Sequence, residues 1–188
     1  MTLFKKQYRV ESSRRLGWDY SENGYYFITI CTKDSECLFG EIQNGKMRFN
    51  EFGIVVQEEW EKSFVIRREL SCNTYIIMPN HIHGIIVLDN VIPVETHGRA
   101  SLHDDASLQH KMVIPYRSPK SISSFVAGFK SVATMRINQI RNTPKIPVWQ
   151  SRFHDRIIRD EIELYNVKNY IENNPINWEE DEFYADAA

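Results

Sequence analysis

The chain has 188 residues, a length that fits one domain with a full hydrophobic core and argues against two large ones. Its hydrophobic content of 42% and charged content of 26% are ordinary for a globular protein and exclude a disordered chain. The formal net charge is −2, so any nucleic acid would have to be held by a local basic surface rather than by overall attraction.

The cysteines and the N-terminus indicate where the protein works. Cys31, Cys37 and Cys72 are an odd number without the spacing of a metal site, which favours a reduced setting. The segment from Lys5 to Arg15 is polar and basic and lacks the apolar stretch of a signal peptide. No run of about eighteen apolar residues occurs. We therefore expect a cytoplasmic protein that is neither secreted nor inserted in a membrane.

The spacing of apolar residues predicts an alternation of strands and helices. In chain order the predicted elements are a strand at 25–32, a hairpin of strands at 38–42 and 46–49, a helix at 50–64, strands at 69–78 and 81–88, a helix at 122–142, an extended piece at 148–158 and a helix that ends near 175. Asn44-Gly45 is typical of a tight hairpin turn. Asn50 fits the N-cap of the first helix, and Asp160 with Glu163 has the spacing of a helix cap.

This order predicts an α+β fold, namely a ferredoxin-like (split β-α-β) sandwich. An antiparallel sheet of four or five strands would have helices packed on it and an extra C-terminal helix. Residues 89–120 contain three of the six histidines and several prolines but no sustained period, so they predict a flexible insertion. We expect residues 1–188 to form a single domain that includes this insertion.

Two histidines one residue apart, His81 and His83, occur in the second of the two adjacent predicted strands. Side chains alternate between the faces of a strand, so both imidazoles emerge on one side and Ile82 on the other. Neutral imidazole is the commonest metal ligand, and two ligands are too few for a closed structural site. The pair predicts an open metal site shared with substrate, against the simpler interpretation of two partly exposed strand histidines. Gly84 next to it leaves space where a backbone or a ligand can approach.

The predicted C-terminal helix carries Tyr170 and Asn174, four residues apart and therefore on one face. A phenol is a nucleophile and a carboxamide can join a metal site, so these groups would allow metal-assisted attack on a phosphodiester. The simpler interpretations are a tyrosine at the edge of the core and an asparagine that caps the helix in the left-handed conformation. Tyr165 is the competing tyrosine and points elsewhere on the helix.

Basic side chains suited to a nucleic-acid backbone occur in three parts of the chain. They are Arg14 and Arg15 with the stacking residue Trp18, then Lys130, Arg136 and Arg141, then Arg152, Arg156 and Arg159. Acidic neighbours such as Asp155 and Glu163 leave a solvated surface as the alternative. His154 fits a DNA contact, support of a metal ligand or plain packing, and its role stays open.

Five strings in a fixed order resemble the single-tyrosine HUH transposases, in the branch of the REP-associated tyrosine transposases. They are Arg-Leu-Gly-Trp-Asp-Tyr at 15–20 with Tyr-Phe-Ile-Thr-Ile-Cys-Thr at 26–32, Met-Pro-Asn-His-Ile-His-Gly at 78–84, Phe-Lys-Ser at 129–131, Trp-Gln-Ser-Arg-Phe-His-Asp-Arg-Ile-Ile-Arg at 149–159 and Tyr-Ile-Glu-Asn-Asn-Pro at 170–175. The resemblance covers most of the chain.

The resemblance implies a DNA transposase that binds single-stranded DNA with a hairpin or inverted repeat. Such an enzyme nicks beside the hairpin, forms a 5′-phosphotyrosine bond, frees a 3′-hydroxyl and later joins strands. It implies Tyr170 as the nucleophile, His81 and His83 as metal ligands, Asn174 as the residue that completes the site, and Mg²⁺ or Mn²⁺ as the metal. Such a protein would associate with the nucleoid when bound to DNA. The insertion after Leu88 and the acidic charge leave the DNA sequence, and the choice between monomer and homodimer, open.

Several other functions would need sequence features that this chain lacks. A histidine-triad nucleotide hydrolase would need a third alternating histidine, where Ile85 stands, and a two-histidine phosphoesterase would need a second His-x-Thr-like motif, which the sequence lacks. An RNA-binding ferredoxin-like module would need exposed strand aromatics, but Phe27 and Tyr75 lack the accompanying Gly-Phe-type string. A catalytically silent nucleic-acid-binding relative and a metal-dependent nucleotide phosphohydrolase remain as alternatives.

Overall fold

The computed structural model describes residue 19, residues 21–90 and residues 120–184, together with the backbone of two short N-terminal strands. The strands are β1 (Leu3–Phe4), β2 (Tyr8–Arg9), β3 (Gly24–Cys31), β4 (Gly40–Gln43), β5 (Lys46–Phe49), β6 (Leu70–Ile77), β7 (His81–Leu88) and β8 (His154–Ile158). The α-helices are α1 (Glu51–Ile66), α2 (Ile122–Ile140) and α3 (Glu161–Asn173), and short 3-10 turns lie at Lys33–Ser35 and Trp178–Glu180. In these ranges no helix combines the length and the apolar character needed to cross a bilayer.

The central sheet has four strands in the order β6-β7-β3-β8, and each neighbouring pair is antiparallel. Along the chain, α1 lies between β3 and β6, and α2 lies between β7 and β8. β7 is therefore inserted between β3 and β6, which is the split β-α-β arrangement. The predicted α+β, ferredoxin-like fold with an extra C-terminal helix is confirmed. The pairs β1–β2 and β4–β5 form separate two-stranded ribbons.

The helices begin where the sequence offers a cap. Asn50 Oδ1 accepts hydrogen bonds from the backbone N–H groups of Phe52 and Gly53, each at 3.0 Å. Asp160 Oδ1 accepts one from the N–H of Glu163 at 2.8 Å. These bonds satisfy N–H groups that have no intrahelical partner in a first turn. Both predicted caps are confirmed. Most predicted elements differ from the observed ones by one or two residues at their ends, but β8 begins six residues after the start of the extended piece predicted at 148–158, and the sequence does not predict the pair β1–β2.

Some predictions fall on residues outside the described ranges. Residues 91–119, which are most of the predicted insertion, lie there, as do Arg14, Arg15 and Trp18. The strands predicted at 69–78 and 81–88 correspond to β6 and β7 and pair as predicted.

One face of the sheet, which we call the core face, is buried under α1 and α2. Tyr26, Ile28 and Ile30 point to it from β3 and are fully buried. Trp60 of α1 lies at the centre of this core, with its ring 5.3 Å from the ring of Phe129 in α2. Every second residue of the central strands therefore points to this face, and these apolar side chains form part of the main hydrophobic core.

Gly84 lies on this core face, opposite Ile28 in the register of β3 and β7. A Cβ atom at this position would lie 2.7 Å from the ring of Trp60. The space beside Gly84 is thus taken by a core side chain, so the expectation that a backbone or a ligand approaches there is wrong. The glycine leaves room for the indole to pack against the strand.

The opposite face, which we call the site face, is only partly covered. Ile85 and Ile158 of the sheet pack there against Val167 and Ile171 of α3 in a second apolar cluster. The cluster covers the part of the site face toward the C-terminal half of β7. The part of the face next to His81 and His83 is left for polar side chains.

Candidate active site

The sheet register brings three histidines to the site face. Thr29 of β3 lies opposite His83 of β7 on one side and opposite His154 of β8 on the other. Cys31 lies opposite His81. Residues that are directly opposite in antiparallel strands point to the same face, so these side chains form adjacent rows. The alternation predicted for His81 and His83 is what the strand shows.

His81 is held in one orientation by its neighbour. The two amide hydrogens of Asn80 are donated to the carbonyl oxygens of Ser35, at 3.2 Å, and Phe183, at 2.8 Å. Asn80 Oδ1 is therefore the acceptor for His81 Nδ1–H, at 2.8 Å. His81 Nε2 keeps its lone pair and has no hydrogen-bond partner among the described residues, although it is buried. A buried imidazole nitrogen in this state is the usual form of a metal ligand.

His83 connects the sheet to α3. Its Nδ1 lies 2.9 Å from Thr29 Oγ1, and its Nε2 lies 3.1 Å from the Tyr170 hydroxyl. Both site histidines are almost completely buried. Burial lowers the pKa of His81 to about 3 and holds the pKa of His83 well below its usual value, so both rings are neutral at pH 7. Neutral imidazoles can donate a lone pair to a metal ion.

Tyr170 reaches the histidines from α3. Its hydroxyl lies 3.0 Å from Asp181 Oδ2 as well as 3.1 Å from His83 Nε2. Burial raises the pKa of this phenol, and the negative charge of Asp181 raises it further. The phenol is therefore protonated at neutral pH and needs a base to become a nucleophile. Tyr165, the competing tyrosine, is 64% exposed, and no contact with the site is recorded for it in the described part of the chain.

Asn174 lies one turn beyond Tyr170 and is buried. Its Nδ2 donates a hydrogen bond to Asp181 Oδ2. Its Oδ1 is buried and has no hydrogen-bond partner within the described ranges. The backbone is right-handed helical (φ −56°, ψ −42°), so the alternative of a left-handed helix cap is wrong.

Asp181 is the site residue that the sequence prediction missed. Among the described residues, His81, His83 and Asp181 each offer one ligand atom, and these atoms lie within 4.8 Å of one another. The unpartnered His81 Nε2 and Asn174 Oδ1 add to the fit for a divalent ion: the oxygen ligands suit Mg²⁺ or Mn²⁺, and the imidazoles favour a transition-metal ion. The acidic run at 179–182 after Trp178 was the available signal for an additional ligand.

The segment that carries Asp181 packs against the rings of His81 and His83. The ring of Phe183 packs 4.9 Å from the ring of His81 and 5.8 Å from that of His83. The hydrogen bond from Asn80 to the Phe183 carbonyl fixes the segment at its end. Asn80 thus orients His81 and also anchors the segment that carries the Asp181 carboxylate.

Three cavities in the described part of the chain have Tyr170 in their lining, and two of them also contain predicted DNA-binding arginines. The first has a volume of about 570 Å³, and its lining includes His83, His154, Arg156 and Asp181. The second, of about 560 Å³, has Arg156 and Arg159 in its lining. The Arg156 side chain is 56% exposed and pairs with Glu163 at 3.2 Å. Two of the predicted DNA-binding arginines therefore lie beside the phenol.

Other predicted DNA-binding residues are engaged elsewhere. Arg136 of α2 pairs with Glu58 and Glu59 of α1, each at 2.7 Å, on the helix layer that covers the core face. Lys130 Nζ donates to the backbone carbonyls of Gln150 and Arg152 at 2.8 and 2.9 Å and so holds the segment before β8. The structure does not bring these two side chains to the histidines.

Comparison with known proteins finds a relative of this chain by sequence. No family model matches the chain. An uncharacterized protein of Haemophilus influenzae is 35% identical over 175 residues, which are 93% of each chain.

One solved structure shows the same fold, and a second is similar at a lower score. A REP-associated tyrosine transposase, solved bound to a REP hairpin, has a TM-score of 0.55 at 16% identity, over 88% of this chain and 74% of that one. A transposase candidate from Deinococcus radiodurans R1 has a TM-score of 0.45 at 16% identity, over 85% of this chain and 95% of that one. The chain therefore belongs to the same family as the Haemophilus influenzae protein and has the fold of the REP-associated tyrosine transposase, the branch that its motifs resemble.

Proposed function

We propose that this protein is a DNA transposase that nicks and rejoins single-stranded DNA through a covalent bond to Tyr170. One observation carries the proposal: the Tyr170 hydroxyl lies 3.1 Å from Nε2 of His83, a residue 87 positions earlier in the chain. A phenol and a pair of neutral, buried imidazoles can then act on the same phosphodiester. A simple packing role for Tyr170 would not require its hydroxyl to meet a metal-type histidine and a carboxylate.

The metal ligands in this proposal are His81 and His83, with Asp181 and Asn174 supplying oxygen atoms. A bound Mg²⁺ or Mn²⁺ would polarise the scissile phosphate and stabilise the charge that develops on it. Asp181 accepts the hydrogen bond of the Tyr170 hydroxyl at 3.0 Å and is the base for its proton. Thr29 and Asn80 hold the two imidazoles through their Nδ1 atoms, as supporting residues of metal ligands do.

The proposed partner is single-stranded DNA with a hairpin or inverted repeat. A structural relative is described as bound to a REP hairpin, which motivates this choice of substrate. Arg156 and Arg159 line the cavities next to Tyr170 and can contact phosphates on either side of the cut. Arg14, Arg15, Trp18 and Arg152 are proposed as further contacts. We propose that the protein is one domain, acts in the cytoplasm on the nucleoid, and works as a monomer or homodimer.

The test uses DNA hairpins from the flanks of the protein's own gene, labelled at the 3′ end and incubated with Mn²⁺. A 5′-phosphotyrosine bond leaves the 3′-labelled piece attached to the protein, so the adduct appears as a labelled band in a denaturing gel. We expect the wild type and Tyr165→Phe to form the adduct and Tyr170→Phe to form none. An adduct with Tyr170→Phe would contradict the assignment of the nucleophile.

The same gel separates the alternatives. Cleavage by the wild type without an adduct would indicate a metal-dependent hydrolase. Binding of the hairpin without cleavage, with Mn²⁺ or Mg²⁺ present, would indicate a catalytically silent relative.

A further inference from the structure

The site face carries a third histidine that the proposed function leaves without a role. His154 is the first residue of β8 and lies opposite Thr29, which lies opposite His83 on its other side. The side chains of His83, Thr29 and His154 therefore form one row across three strands. The row places an imidazole at each end, with the His83 ring next to Tyr170.

His154 differs from the two buried histidines in its surroundings. Its side chain is exposed, and neither ring nitrogen has a recorded hydrogen bond in the part of the chain that the structure describes. Its ring lies 6.4 Å from the ring of Phe183. It lines the same cavity of about 570 Å³ as His83 and Tyr170. The ring is thus free to contact a molecule that enters this cavity.

The reaction under "Proposed function", on which this inference rests, needs a proton donor. The Tyr170 oxygen forms a bond to phosphorus, and the bond from phosphorus to the 3′-oxygen breaks with its electron pair on that oxygen. The phenol proton passes to Asp181. An alkoxide is a poor leaving group, so a second group must give the 3′-oxygen a proton.

We propose that His154 is the general acid that donates this proton to the departing 3′-oxygen. Other polar side chains that line the cavity are less suited to the task. The Arg156 guanidinium does not release its proton in proteins. Asp181 takes up the phenol proton on the attacking side of the phosphorus, which is opposite the leaving oxygen in an in-line displacement. Acidic side chains such as Glu180 and Glu182 ordinarily accept protons, and His83 has no proton to spare once its Nε2 lone pair is used as a ligand. Histidine is also the residue type that most often acts as a general acid.

The test replaces the 3′-oxygen at the scissile bond with sulfur. A thiolate leaves without being protonated, so a 3′-phosphorothiolate substrate removes the need for a general acid. Single-turnover rates of adduct formation are measured with Mn²⁺ on both substrates, for the wild type and for His154→Ala. We expect His154→Ala to lose at least about 100-fold with the 3′-oxygen substrate, the typical size of a general-acid contribution. We expect it to stay within about 3-fold of the wild type with the 3′-sulfur substrate, because no proton is needed there.

Two further variants make the result specific. His154→Asn keeps a polar side chain of similar size without an acidic proton, and it should behave like His154→Ala. Arg156→Ala removes a cation from the same cavity, and it should slow both substrates by the same factor because a phosphate contact does not distinguish the leaving atom.

An equal loss on both substrates for the His154 variants would overturn the proposal and indicate a phosphate contact or a structural role. Full activity of His154→Ala on the 3′-oxygen substrate would also overturn it. Absence of a Tyr170-dependent adduct with the wild type on either substrate is a different result, because it shows that the proposed function itself has failed.

Discussion

The core face and the site face of the central sheet are formed by the same strands but have different roles. The core face stabilises the fold, and the site face carries the candidate active site. On the core face, Ile82 and its neighbours are apolar and fully covered by α1 and α2. On the site face, His81 and His83 are just as buried, yet they are surrounded by hydrogen-bonding groups and a carboxylate. Strand alternation keeps the two environments one residue apart. A single change in β7 can therefore affect stability or chemistry separately.

The site face also shows how buried polar groups are kept compatible with folding. An imidazole buried without partners would be costly, but Thr29 and Asn80 each hold one Nδ1 atom. The Nε2 atom of His83 lies next to the Tyr170 hydroxyl, whereas the Nε2 atom of His81 has no partner among the described residues. The unsatisfied His81 Nε2 thus belongs to the proposed metal site, and such an atom is typical of a functional site rather than of a core.

The largest effect is expected from His81→Ala. Loss of a metal ligand should reduce Mn²⁺-dependent adduct formation by about 10³-fold or more, since the ion supplies several kcal/mol of transition-state stabilisation. Hairpin affinity should change by less than about 3-fold because phosphate contacts position the DNA. Rates and binding are measured on the same preparations.

The matched control is the adjacent Ile82→Val on the other face. It should cost about 0.5–1.5 kcal/mol of stability and leave the rate of adduct formation unchanged. An equal loss of hairpin binding in His81→Ala would indicate that His81 is structural.

The next effect tests the packing of the core face through stability. Gly84→Ala places a Cβ 2.7 Å from the fully buried Trp60 ring, so overpacking should lower the free energy of unfolding by about 1–3 kcal/mol. Gly128→Ala lies on the exposed side of α2, where its Cβ meets only the end of Arg67 at 3.5 Å, and it should raise the free energy of unfolding by up to about 1 kcal/mol. Urea denaturation measures both. Equal stabilities would contradict the close approach of Trp60 to β7.

A smaller effect concerns the support of His83. Thr29→Val removes the hydroxyl beside His83 Nδ1 and should weaken Mn²⁺ binding by about 10- to 100-fold. Thr32→Val removes a comparably buried hydroxyl that bonds the Glu36 carbonyl rather than a histidine, and it should leave Mn²⁺ affinity unchanged. Calorimetric titration with Mn²⁺ compares the two. The same affinity in both variants would mean that Thr29 does not orient the ligand.

Most of the fold could be predicted because its signals are local. The caps at Asn50 and Asp160 and the alternation in β7 each depend on a few adjacent residues. The histidine pair and Tyr170 could be named for the same reason. The contact between His83 and Tyr170, which are 87 residues apart, became apparent only from the fold.

The rest of the site depends on contacts between distant segments. Asp181 reaches the histidines from a segment beyond α3 without a regular period, and Asn80 reaches Phe183 across 103 residues. Neither contact has a sequence pattern of its own. Gly84 predicts that some group approaches the strand closely, but a glycine in a strand does not show which group. The sequence is the same whether that group is a ligand or the Trp60 ring.

Mass spectrometric mapping of the covalent adduct tests the central claim most directly. The wild-type protein is incubated with the hairpin DNA and Mn²⁺, digested with nuclease and protease, and searched for a peptide that carries a nucleotide. The account predicts a nucleotide joined through its 5′-phosphate to Tyr170. A nucleotide on Tyr165 or on any other residue would contradict it.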